Sequence, residues 1–216
     1  MGIERHKVFI SYYHAEDQWY KDYLTKLTYY NSDKQKLMPI FDDYSVNTGD
    51  IDDTYLTDEQ IRRKIRDEYM REANVLIVLC GKNTKNRKHV DWEIHTAMYD
   101  SDINHQMGIL VINLPSIYGM QQVRVSNDDE KELVAPGSSW KNMTTEEIKK
   151  SFSYMPERIL KNIILHNPIT VVDWNRIEFN SKILMKLVDN AFKRKDKVKY
   201  DHSMPLRRKN TPCVKN

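Results

Sequence analysis

A chain of 216 residues suffices for one α/β domain with additions and falls short of two independent cores. A charged fraction of 30%, a hydrophobic fraction of 40% and a formal net charge of +3 exclude both a strongly basic, nucleic-acid-binding composition and an acidic, disordered one. Nine Lys and Arg residues fall between positions 193 and 216, so the excess positive charge belongs to the C-terminal end.

Two cysteines, Cys80 and Cys213, offer no disulfide framework, which fits a reducing, cytoplasmic setting. The first residues carry no apolar signal stretch. The longest apolar run, residues 75–80, is far too short to cross a bilayer, so no membrane partner is expected.

Residues 7–12, Lys-Val-Phe-Ile-Ser-Tyr, predict a buried first strand ending at Ser11 or Tyr12. Trp19, Tyr23, Leu24 and Leu27 recur at helical spacing and predict a helix over 16–30. Residues 39–41 predict a second short strand with Asp42 and Asp43 at its carboxyl end, and 44–56 a long loop. Thr57 and Gln60 form a capping box that starts a helix running to about residue 72. Residues 75–79 give the clearest strand, 81–87 a basic loop, and Val90, Ile94, Ala97 and Met98 the stripe of another helix. A fourth strand over 108–113 stops at Pro115, and a polar insertion spans 116–145. A helix over 153–162, a strand over 169–172 and a helix over 180–193 complete the pattern.

Alternating strands and helices predict an α/β fold with a five-stranded parallel sheet in the order 2-1-3-4-5, helices on both faces and a C-terminal extension. The domain is expected over 1–194, with 195–216 as a basic, flexible tail. In such a flavodoxin-like sheet, ligands bind outside the carboxyl ends of the strands near the switch between the first and third. Ser11, Asp42, Asp43 and the loop at Gly81 therefore gather around one crevice.

Three segments carry a resemblance to a known family: residues 6–12 as the first strand, Phe41-Asp42-Asp43 with 45–53 as the loop after the second, and 75–81 leading to Arg87-Lys88-His89-Val90-Asp91-Trp92-Glu93-Ile94. They resemble TIR-like domains, closest to the bacterial branch of Thoeris antiphage defence. Enzymatic TIR domains carry a glutamate on the helix after the third strand, usually a few residues past a tryptophan; here Trp92 directly precedes Glu93. The resemblance implies that Glu93 is catalytic, that NAD is the substrate with no further cofactor, and that a cyclic nucleotide product signals to a separate effector protein. Self-association between TIR domains is implied as well.

Breaking the nicotinamide–ribose bond turns the ribose into an oxocarbenium-like cation, which a nearby carboxylate stabilises. Nicotinamide leaves without a proton, because it is already cationic in NAD, so one glutamate suffices. Ser11 and Tyr12 suit ribose and ring contacts, yet equally suit a strand end. Asp42 and Asp43 serve as ribose contacts or in closing their own loop. Arg87, Lys88 and His89 read as a pyrophosphate clamp or as a solvated face. Trp92 joins the substrate-binding set or anchors the core; Trp19, Trp140 and Trp174 read as core or interface. His14, His95 and His105 show no ligand spacing, so no metal site is expected.

A phosphoacceptor receiver needs acids where this first strand ends in Ser11-Tyr12, and a dinucleotide oxidoreductase needs a glycine-rich turn that is missing there. The remaining rival is a non-enzymatic TIR interaction module, since fold does not fix function.

Overall fold

The computed structural model describes residues 5–47, 50, 55–101 and 104–211. Cys213 and most of the 48–54 stretch of the long loop lie outside these residues.

β1 (Lys7–Ser11) is followed by helix α1 (His14–Lys26), the hairpin strands β2 (Thr28–Asn31) and β3 (Lys36–Pro39), and the short strand β4 (Asp42–Asp43). Helix α2 (Asp58–Lys64) starts at the expected capping box, with the Thr57 side chain accepting from the Gln60 backbone. It runs into a π-helical stretch, Ile65–Met70, before β5 (Val75–Cys80), α3 (Lys88–Met98) and β6 (Gly108–Asn113). The remainder comprises α4 (Lys131–Val134), α5 (Thr145–Ser151), α6 (Glu157–Ile164), β7 (Thr170–Asp173), α7 (Trp174–Ile177) and α8 (Ser181–Arg194).

The main sheet runs β4-β1-β5-β6-β7 with every pairing parallel, which is the expected 2-1-3-4-5 order of its five strands. Period-2 alternation in β5 sends Leu76, Val78 and Cys80 to one face and Val75, Ile77 and Leu79 to the other. α3 and α6 cover the first face and α1 and α8 the second, which explains a strand buried along its whole length.

Three expectations need correction. The helix from 16 stops at Lys26, because residues 28–31, Thr-Tyr-Tyr-Asn, pair instead with residues 36–39 in an antiparallel hairpin. The second strand of the main sheet is Asp42–Asp43 rather than 39–41, and buried Ile40 and Phe41 lead into it. The helix expected over 153–162 is α6, which begins after Pro156 and runs to Ile164, and a separate helix that was not expected, α5 with its own capping box at Thr144 and Glu147, precedes it. Of the tryptophans expected in the core or at an interface, Trp174, at 1% exposed, lies in the core, and Trp19, 58% exposed, leans toward it from the surface.

The insertion protects the edge of the sheet. Arg124 exchanges both backbone hydrogen bonds with Val171 of β7, at 3.0 and 2.8 Å. Glu130, fully buried beneath it, accepts from Arg194 at 2.7 Å, the Ser126 backbone at 2.9 Å and the Thr170 hydroxyl at 2.5 Å. An edge strand left unpaired would template association with other chains.

Residues 195–211 do not form a loose tail. Fully buried Arg158 of α6 pairs with Asp91 of α3 at 2.8 Å and donates to the carbonyls of Met204 and Pro205, both at 2.9 Å. The Arg207 backbone donates to Asp91, Trp92 Nε1 donates to the Arg207 carbonyl, and Thr211 bonds the Asn86 carbonyl. Backbone polar groups, which composition does not reveal, hold this basic segment against α3.

Candidate active site

The site forms where β1 and β5 end. In β1, alternation sends Val8, Ile10 and Tyr12 toward α1 and α8, and Phe9 and Ser11 toward α3. On α3, Glu93 lies three residues after Val90 and four before Ala97, so it shares their sheet-facing side in the middle of the helix. The two patterns meet: the Ser11 hydroxyl donates to Glu93 Oε2 at 2.5 Å, with Glu93 5% and Ser11 1% exposed. Burial pushes the Glu93 carboxyl up to about 8, and the Ser11 hydrogen bond pulls the other way.

A second buried acid, Asp17, was not singled out by the sequence. It stands in the first turn of α1, 3% exposed, and a Cβ on Gly81 would lie 2.8 Å from its Oδ2. Burial and the neighbouring Glu16 push its carboxyl up to about 7, against the Thr84 hydroxyl and the Tyr13 backbone. A side chain at position 81 would press on the end of that carboxylate and push it aside. The loop is tied down further by Asn83, which donates to both Glu16 oxygens at 3.0 and 3.1 Å. An acid at a helix start usually reads as a favourable dipole contact, which conceals Asp17 in the sequence.

The other expected residues divide. Asp43 closes its own loop: it accepts from the Ser45 backbone at 2.9 Å and hydroxyl at 2.5 Å, and pairs with buried Lys21 at 2.8 Å. Ser45 in turn accepts from the Ile10 backbone at 2.8 Å, and Lys21 reaches Asn47 at 2.6 Å. Asp42 turns outward to Arg5 at 2.8 Å. Tyr12 packs on the face opposite Glu93, where its hydroxyl donates to Gln18 at 2.7 Å and its ring stacks on His14. Arg87 lies 4.5 Å over the Tyr13 ring and donates to the Thr211 carbonyl. Lys88 pairs with Asp58 at 2.5 Å, and the His89 ring packs beside Trp92. Trp92, 4% exposed and bonded to the Arg207 carbonyl, anchors the C-terminal segment rather than joining Ser11 and Glu93. Thus Ser11 and Glu93 come together, Asp43 is tied through Ser45 to the β1 backbone next to Ser11, and Tyr12, Asp42, Arg87, Lys88 and Trp92 are engaged elsewhere.

Among the described residues, no group of three His, Cys, Asp or Glu side chains is arranged to hold a metal ion, and no helix is long and apolar enough to cross a membrane. The arrangement offers a desolvated carboxyl held by a hydroxyl at the switch point of the sheet, suited to stabilising positive charge on a bound ligand.

This sheet order, with helices on both faces, is that of a flavodoxin-like α/β domain, the class to which TIR-like domains belong. The family model of the Thoeris protein ThsB, TIR-like domain, matches residues 9–117, just over half of the chain. The chain belongs to that family and is an antiphage-defence TIR protein. No curated protein and no solved structure matches it.

Proposed function

We propose that this protein cleaves the nicotinamide–ribose bond of NAD, with Glu93 as the catalytic carboxylate and Ser11 as its positioning partner. The observation that carries the reading is a buried glutamate bonded to Ser11 at the carboxyl end of β1. A carboxylate is rarely buried without an ion partner unless its environment serves a function.

The C1′–N bond breaks with its electron pair going to nicotinamide, which leaves neutral, and C1′ gains positive charge next to Glu93. Burial keeps the carboxyl protonated much of the time near neutral pH, and the cationic nicotinamide riboside favours the ionised form on arrival. Attack on C1′ by water yields ADP-ribose and a proton. Attack by a nitrogen or hydroxyl of the same molecule yields a cyclic isomer and a proton. Exclusion of water favours the second course, and family membership supports a cyclic nucleotide read by a separate effector in the cytoplasm. Arg87, stacked on the Tyr13 ring two residues past Ser11, is the cation assigned to the pyrophosphate.

The test is incubation of the full chain with NAD, alone and at concentrations that promote self-association, following nicotinamide release and the mass of the nucleotide formed. Turnover that disappears in Glu93→Gln supports the reading. Intact NAD under every condition rejects it in favour of a TIR interaction module.

A further inference from the structure

The face of α3 turned away from Ser11 meets α2 and the π-helical stretch after it. Between them lies a cleft of about 220 Å3, with Arg62, Arg63 and Arg66 on one side and His95, Tyr99 and Asn104 on the other. No acid occurs among the described residues that line it. Arg62 and Arg66 stand four residues apart and share a helical face.

The charge of these arginines is committed to different degrees. Arg63 pairs with Glu59 at 2.8 Å, both well exposed, and exposed pairs contribute little. Arg66 gives its Nε and Nη2 edge to Asp67 at 2.5 and 2.9 Å, which leaves Nη1 as a donor. Arg62 has no carboxylate within ion-pair distance among the described residues. Three guanidinium groups around one concavity, with planar forks that match tetrahedral oxyanions, form an arrangement suited to phosphate.

The opposite wall adds polar and ring groups. Tyr99 sits against His95 and His202, with ring centroids 6.1 and 5.1 Å away. Burial, together with Arg158, His202 and Arg62, holds the His95 imidazole down to about 4, as a positive local field would. Asn104 is 3% exposed and its amide donates to the carbonyls of Thr96 and Tyr99 at 2.8 and 3.0 Å, which fixes the end of this wall against α3.

We propose that this cleft binds the phosphate or diphosphate group of a small anionic ligand, with Arg62 and Arg66 as its principal donors. The inference does not depend on NAD cleavage. Ligand here and substrate at Ser11 would press on opposite faces of α3, since His95 lies about 200° around the helix from Glu93.

The experiment titrates inorganic pyrophosphate into the full chain, reading heat and the histidine ring signals by NMR, with adenosine as a phosphate-free control. The expected result is saturable pyrophosphate binding, an upward move of the His95 pKa, and affinity at least tenfold weaker in Arg62→Ala/Arg66→Ala. Glu93→Gln should bind as well as the parent, which separates this cleft from the Ser11 site. Arg62→Lys, which keeps the charge and the fold but not the fork, should weaken binding by a smaller factor. A silent His95, or equal affinity in Arg62→Lys and the double variant to that of the parent, overturns the proposal, as does binding lost in Glu93→Gln alone. Absence of any pyrophosphate binding overturns it too and leaves the arginines as a surface for an acidic protein partner.

Discussion

Ser11 and Glu93 are 82 residues apart in the chain and 2.5 Å apart in the fold. Their hydrogen bond favours the ionised form of Glu93 against burial. Hydrogen bonds to charged groups contribute about 1.5–3 kcal/mol. Ser11→Ala should therefore lower nicotinamide release near neutral pH by roughly 10- to 100-fold, at about 1.4 kcal/mol per tenfold. In the parent protein kcat/KM should rise with pH toward a plateau above about 8, because the free site must lose its proton. In Ser11→Ala that rise should move to higher pH. Identical pH profiles in the two proteins would mean that Ser11 does not tune the carboxyl.

The same carboxyl links stability to pH. Glu93 in the folded chain holds its proton up to about 8, whereas its ordinary value is 4.5, so the folded state binds more protons between those limits. The stabilisation is fully present below pH 4.5, falls as pH rises through that window and is gone above about 8. Its slope is at most about 1.4 kcal/mol per pH unit. Asp17 adds a loss of the same sign up to about 7. Chemical denaturation at pH 5, 6.5 and 8.5 should show Glu93→Gln gaining on the parent as pH rises. A constant difference across the three would show that Glu93 is solvated.

How much of this was legible follows from the reach of each signal. The sheet order emerged because β1, β5 and β6 are unbroken apolar runs, and the Thr57 capping box because its partners are three residues apart. Glu93 interrupts the apolar stripe of Val90, Ile94 and Ala97, a local sign that the helix turns an acid inward. Its partner was harder to assign, since Ser11 at the end of a strand looks the same with or without a ligand. The Asp91–Arg158 pair and the docking of 199–211 stayed hidden because they join segments far apart through backbone carbonyls. Asp43 appeared as one of two acids at a strand end, and only β4 alternation tells its inward side chain from the outward Asp42.

Asp91 and Arg158 fasten α3, α6 and the C-terminal segment at one point. Removing one member of a buried pair leaves the other uncompensated and costs about 3–5 kcal/mol. Arg158→Met should lower stability by that amount, read as a drop in denaturant midpoint, and free residues 199–211 for proteolysis before the core unfolds. Loss of stability with the C-terminal segment still protected would show that Trp92 and Asn162 suffice to hold it.

Gly108 begins β6 where the sheet meets the backbone of α8. A Cβ at this position would lie 2.0 Å from the Ala191 carbonyl oxygen and 2.3 Å from its carbon, distances that no rotamer change relieves. Backbone must therefore move, either by tilting α8 away or by shifting β6 out of register with β5, and both faces of the core depend on those elements. Overpacking of this kind costs about 1–3 kcal/mol when side chains can yield and more when they cannot. Gly108→Ala should accordingly be the most destabilising single methyl addition among the described glycines, whereas Gly81→Ala meets only the end of the Asp17 side chain and should be milder. Thermal melts of the two variants decide the point; a Gly108→Ala protein as stable as Gly81→Ala would mean that α8 is free to shift.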